Sequence, residues 1–146
     1  PWSESLVVVV AGCPSDELAP AFQALIERGT PFEQARALAY LHLWKDRADA
    51  LSRVRPTVEA RRSADAPWTA FLASLMSARV YGDADEAWAR AADAVVAADR
   101  AGPGRSIRPQ AEELVSADEA VAVNARLAAL SAPPLAVPEP RPARRR

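Results

Sequence analysis

From Trp68 to Arg100, apolar residues recur at helical spacing, stop at Tyr81-Gly82-Asp83, and resume on the other side. Trp68, Phe71, Leu72, Leu75, Met76 and Val80 form the first stripe, and Trp88, Ala91, Ala92, Val95 and Val96 form the second. Two amphipathic helices joined by so short a turn must pack antiparallel against each other, which makes helix-on-helix contact the organising interaction of the chain. Composition agrees: 34 of the 146 residues are alanine, the best helix former, and only 5 are glycine, so an all-α fold is predicted. The 13 prolines then act as punctuation between helices.

Residues 6–11 are the exception. Leu6 to Val10 is β-branched enough to read as a short extended, strand-like segment, stopped by Gly12-Cys13-Pro14. A lone strand cannot satisfy its own backbone. It must pair with a partner, pair with a second copy through residues such as Val8 and Val10, or be drawn into the helical core. After it, Pro14 opens a helix with Leu18, Ala21, Phe22, Leu25 and Ile26 inward, ended by Gly29. Thr30-Pro31-Phe32-Glu33 is a capping box, and the helix it starts is expected to run through Trp44 and, being apolar on more than one side, to be the central one. Asp46 is placed to cap the next helix, carrying Ala48, Leu51, Val54 and Val58, with Pro56 expected to kink or interrupt it. Asp83 with Glu86, and Ser116 with Glu119, repeat the capping-box spacing; the second opens a helix with Ala120, Val123, Leu127 and Leu130 inward. Residues 1–131 therefore read as one helical domain, and residues 132–146, rich in proline and arginine, as a flexible tail.

Trp44-Lys45-Asp46-Arg47-Ala48-Asp49-Ala50-Leu51 matches Tyr81-Gly82-Asp83-Ala84-Asp85-Glu86-Ala87-Trp88 in outline: an aromatic, a capping Asp, then an acidic and apolar entry into a helix. Two such units about 37 residues apart predict antiparallel helix pairs in a repeat-like stack or bundle. The second unit resembles a tetratricopeptide repeat, with Trp68, Leu75, Ala84, Trp88 and Ala91 at that family's large and small positions. It departs at Leu72, where the family places a small residue, and Gly102-Pro103-Gly104 stops any immediate third repeat. The resemblance implies a non-catalytic, partner-binding role.

Chemistry-bearing residues are few. Cys13, the single cysteine, is placed before an expected helix N-terminus, where the dipole favours a thiolate; with no second cysteine, no disulfide framework is possible. His42, the single histidine, follows Arg36 in an Arg-x5-His spacing that resembles the Arg-x4-6-His motif of HEPN ribonucleases, although the polar residue usual after that Arg is Ala37 here. That resemblance implies an all-α RNA-cleaving toxin with Arg36 and His42 acting on the phosphodiester. One His and one Cys do not make a metal site, and no glycine-rich phosphate loop follows a strand, so no metal or cofactor is expected.

The residues most suited to a protein partner are Tyr40 and Trp44 at the end of the helix that Thr30-Pro31 opens, the basic Arg47 and Arg55, and Val8 and Val10 in the extended segment. Trp68 and Trp88 fall on inward stripes and read as core. A net charge of −1 supplies no general drive toward nucleic acid or anionic membrane, though Arg141, Arg144, Arg145 and Arg146 offer the tail a non-specific affinity for nucleic acid. The apolar run at 6–11 is too short to span a bilayer. Together these features predict a cytoplasmic interaction protein, possessing a helical-repeat groove and able to homodimerise, with the HEPN-like ribonuclease as the alternative.

Overall fold

Every backbone N–H and C=O buried in a chain this alanine-rich needs a partner, and helices supply one without recourse to another segment. The computed structural model describes residues 2–139, and no strand occurs among them. The elements are α1 (Glu4–Gly12), α2 (Ala19–Arg28), α3 (Pro31–Ala39), a 3-10 turn (Leu41–Trp44), α4 (Ala48–Arg61), α5 (Pro67–Met76) with a π-helical extension (Ser77–Tyr81), α6 (Ala84–Arg100), a second 3-10 turn (Pro103–Arg105), α7 (Arg108–Leu114) and α8 (Ala117–Ala129).

The expected strand-like segment is helix α1. Ser3 caps it, its hydroxyl accepting from the Leu6 N–H at 3.3 Å, and Val7, Val10 and Ala11 turn inward at helical spacing. Valines cost a few tenths of a kcal/mol each in a helix relative to alanine. A buried backbone group without a partner costs about 1–3 kcal/mol, and an unpaired strand has many of them. With the strand gone, strand pairing no longer supports a homodimer.

Helix α2 begins at Ala19, later than Pro14, and Ser15 supports its approach by accepting from the Leu18 N–H at 3.2 Å. The Thr30–Glu33 capping box is formed in both directions, at 3.3 and 3.2 Å, and the second Glu33 oxygen also accepts from the Trp2 N–H at 3.1 Å, fastening the start of the chain. Helix α3 stops at Ala39 rather than running to Trp44. In the 3-10 turn that follows, residues three apart eclipse, which sends both Leu41 and Trp44 into the core. Helix α4 runs unbroken through Pro56, and Arg47 rather than Asp46 holds its N-cap position.

The central helix is α5: all residues from Thr69 to Met76 are buried. Its faces are shared between two cores. Leu72, Ala73 and Met76 join a cluster with Val7, Phe22, Leu25, Leu38, Trp44 and Val54, whereas Ala70, Phe71 and Leu75 join Ala91, Val95, Ile107, Val123 and Leu127. The turn into α6 is made at Gly82, whose φ of 73° is a left-handed conformation that favours glycine. Asp83 occupies the N-cap of α6 without capping it, because its carboxylate is bound by Arg55 instead.

Part of the predicted flexible tail lies within the described residues. Leu135 is 2% exposed and belongs to the second core cluster. Arg141, Arg144, Arg145 and Arg146 lie outside the described residues.

Candidate functional site

Between α3 and α5 lies an open, mostly apolar groove of about 430 Å³. Its α3 wall is low because Ala35 and Ala39 carry only methyl groups, and Phe32 stands at the rim, 59% exposed. The α5 wall is formed by Trp68 and Leu72, and Leu114 at the end of α7 also lines it. Trp68 is stacked on Phe71 with ring centroids 5.6 Å apart, and the Thr69 hydroxyl donates to the Pro31 carbonyl at 3.1 Å. The stack holds Trp68 in place along α5 and the hydrogen bond ties the starts of α3 and α5 together, so the groove exists before anything enters it.

Arg36 is the one charged residue in the lining. It is ion-paired with Glu4 across from α1, and its guanidinium carbon lies 5.7 Å from the Phe32 ring centroid. Its Nε is buried without a hydrogen-bond partner. A site of this volume, lined by apolar and aromatic side chains with few polar groups, suits an apolar ligand or side chains.

The residues expected to face a partner do not share one surface. Trp44 is fully buried: it stacks on Phe22 at 4.4 Å with planes 2° apart and donates its indole N–H to the Ala11 carbonyl at 2.8 Å. Its position at a helix end suggested exposure, but the 3-10 turn reverses that. Val10 is buried, Val8 half-buried, and Tyr40 half-buried against Gly12. Arg47 is exposed beside Asp16 at 3.5 Å.

Arg55 is the centre of a polar clamp. It donates to Glu59 at 3.0 Å and to both oxygens of Asp83 at 2.9 and 3.0 Å, with its guanidinium carbon 5.1 Å from the Tyr81 ring centroid. The hydrogen bond to Glu59, followed by the charge of Asp83, raises the Arg55 pKa above its usual value. Burial pushes the Tyr81 phenol well above its ordinary range, and its hydroxyl donates to the Leu51 carbonyl at 2.7 Å. The cluster ties α4 to the α5–α6 turn.

The catalytic expectations find little geometric support. Arg36 lies on α3 and His42 on the 3-10 turn beyond its end, so the two do not share one continuous α-helix. The Nδ1 of His42 is 3.0 Å from the Ala39 carbonyl oxygen, while Arg36 is engaged by Glu4. Cys13 is exposed, but it occupies the C-cap of α1, with its own N–H donating to Val9 at 3.2 Å. That is the C-terminal end of a helix, whereas a helix N-terminus was expected at this position. Among the described residues, no group of three His, Cys, Asp or Glu side chains is placed to hold a metal ion. None of their helices is long and apolar enough to cross a membrane.

Sequence reasoning singled out neither Phe32 nor Leu114 for this groove. Phe32 shares one helical face with Ala35, Arg36 and Ala39, which all line the groove, and that i, i+3, i+4, i+7 spacing was available in the sequence. Compared with protein families, curated proteins and solved structures, the chain has no significant match.

Proposed function

We propose that this chain is a non-catalytic protein-interaction module, built as two helix pairs stacked in the manner of a helical repeat, and that the groove between α3 and α5 receives an apolar segment of a partner protein. The observation that carries this reading is the groove itself: preformed, lined by Phe32, Ala35, Ala39, Trp68 and Leu72, and open at a rim where a phenylalanine is 59% exposed. An exposed aromatic beside a concave apolar surface is the composition of a binding anchor, and burying such a side chain favours association. Arg36 and Arg55, both singled out by sequence, are held by Glu4 and by Glu59 with Asp83, which suits structural roles. The lone Cys13 suits a reducing compartment such as the cytoplasm.

The test uses a charge placed in the groove. Phe32→Glu changes an exposed residue, so helicity and melting temperature are expected to stay near those of the parent while capture of the partner from the native host is lost. Val121→Glu alters an equally exposed apolar residue on α8 and is expected to leave capture unchanged. Equal retention by both variants would remove the groove as the binding surface. RNA cleavage that disappears in Arg36→Ala and His42→Ala would replace the reading with the ribonuclease.

A further inference from the structure

The C-terminal segment is held by contacts of a kind that recognise a peptide. Leu135 is the anchor, 2% exposed and part of the core cluster to which α6, α7 and α8 contribute. The Asn124 side chain, on α8, reads the backbone of that same residue in both directions: Oδ1 accepts from the Leu135 N–H at 2.7 Å and Nδ2 donates to the Leu135 carbonyl at 3.0 Å. Arg108, at the start of α7, donates through Nη1 to the carbonyls of Pro133 and Pro134 at 2.7 and 3.2 Å. Arg108 is itself oriented, because its Nε donates to Asp99 at 2.9 Å and Asp99 also accepts from the Ser106 hydroxyl at 3.0 Å.

This is a divided recognition scheme. One pocket takes a branched apolar side chain, one amide satisfies the backbone on both sides of it, and one guanidinium reads two carbonyls of the preceding prolines. Two consecutive prolines are already extended, so little entropy is lost when they are held. Backbone groups in such a segment have no helical partners, and Asn124 and Arg108 supply what the segment lacks. Val137, two residues past the anchor, is 48% exposed, and Ala132, packed against the same cluster from the other side of the prolines, is only partly buried, so Leu135 is the one fully inserted side chain of the segment.

We propose that Asn124, Arg108 and the Leu135 pocket form a peptide-binding site, occupied in cis by the chain's own Pro133-Pro134-Leu135 and able to exchange it for a Pro-Pro-Leu segment supplied in trans. The site is separate from the α3–α5 groove and does not depend on it. Only a short connection joins α8 to the anchor, so the resident segment competes at an effective concentration in the millimolar range, and a trans peptide gains access when the anchor is removed.

The test uses the full chain and a fluorescent peptide spanning residues 131–139, followed by anisotropy. Leu135→Ala in the protein removes the cis anchor and leaves Asn124 and Arg108 in place. The peptide is expected to bind this variant roughly tenfold to a hundredfold more tightly than it binds the parent. Changing leucine to alanine in the peptide, or adding Asn124→Ala to the protein, is expected to abolish the gain. A Leu135→Ala chain that keeps its circular dichroism and cooperative melt yet shows no gain would overturn the proposal. Should that variant fail to fold, hydrogen exchange on the parent decides. An exchangeable segment requires the Leu135 amide to open locally and exchange faster than core amides of α6 such as Val95, whereas exchange of both only by global unfolding would mean a fixed part of the core.

Discussion

Trp44 shows how much one side chain decides in the N-terminal half of this protein. Its ring closes on Phe22 from α2 and its indole N–H reaches Ala11 at the end of α1, so three segments meet on one residue. Trp44→Ala should lower the unfolding free energy by about 3–5 kcal/mol through cavity formation. Trp44→Phe keeps an aromatic in the stack but leaves the Ala11 carbonyl without its donor, and should cost about 1–3 kcal/mol. Urea denaturation at neutral pH measures both, and equal losses for the two variants would contradict the role given to the hydrogen bond. None of this was legible in the sequence. An aromatic at the end of an apolar run looks exposed when the helix is drawn as continuous, and only the change to 3-10 geometry after Ala39 turns it inward. Arg55 was offered as a partner-facing charge, whereas it is held by Glu59 one turn along and by Asp83, a contact 28 residues away that local pattern does not reveal.

At the scale of elements, helix starts were the readable feature. Thr30 with Glu33 and Ser116 with Glu119 form the reciprocal caps that their spacing predicts, and Gly82 supplies the left-handed turn between α5 and α6. These signals are local, so they survive without knowledge of the packing. The strand-like reading of residues 6–11 failed because β propensity is a weak preference, and the inward spacing of Val7, Val10 and Ala11 outweighed it. Asp83 failed as a cap because a guanidinium from a distant helix competed for its carboxylate.

Glu119 carries a testable link between elements. Besides capping α8 it accepts from Arg79, in the π-helical extension of α5, at 2.7 and 2.8 Å. Burial works against its charge, but the Arg79 hydrogen bond and the Ser116 N–H outweigh it and hold the carboxyl below its usual pKa. A carboxyl with a lowered folded-state pKa stabilises the fold above its unfolded-state value, and that contribution disappears as pH falls through the folded-state value. Glu119→Gln retains an acceptor for the Ser116 N–H and removes the charge. It should cost about 1 kcal/mol at pH 7, with the two proteins converging as pH falls through the lowered folded-state value. A constant difference across that range would mean that the Arg79 pair does not contribute.

For the whole molecule, α5 is the shared wall of two cores, and the helix pair that it forms with α6 was the strongest pattern in the sequence. The all-α class followed from alanine content and stripe spacing, which are properties of any helical arrangement. A groove between the two helix units was expected, but its lining was not legible, because it depends on how α3 sits against α5 and on Leu114 arriving from α7. The anchored C-terminal segment was hidden for a related reason: a proline-rich composition predicts no core, and one leucine held by Asn124 reverses that locally. We propose that the α3–α5 groove is where a partner docks. A photo-crosslinking side chain substituted for Phe32 tests this most directly, with the same group at Val121 as the control. One discrete covalent adduct is expected from the Phe32 position in host extract, suppressed by unlabelled parent protein, and none from the Val121 position. Equal or stronger labelling from Val121 would contradict it.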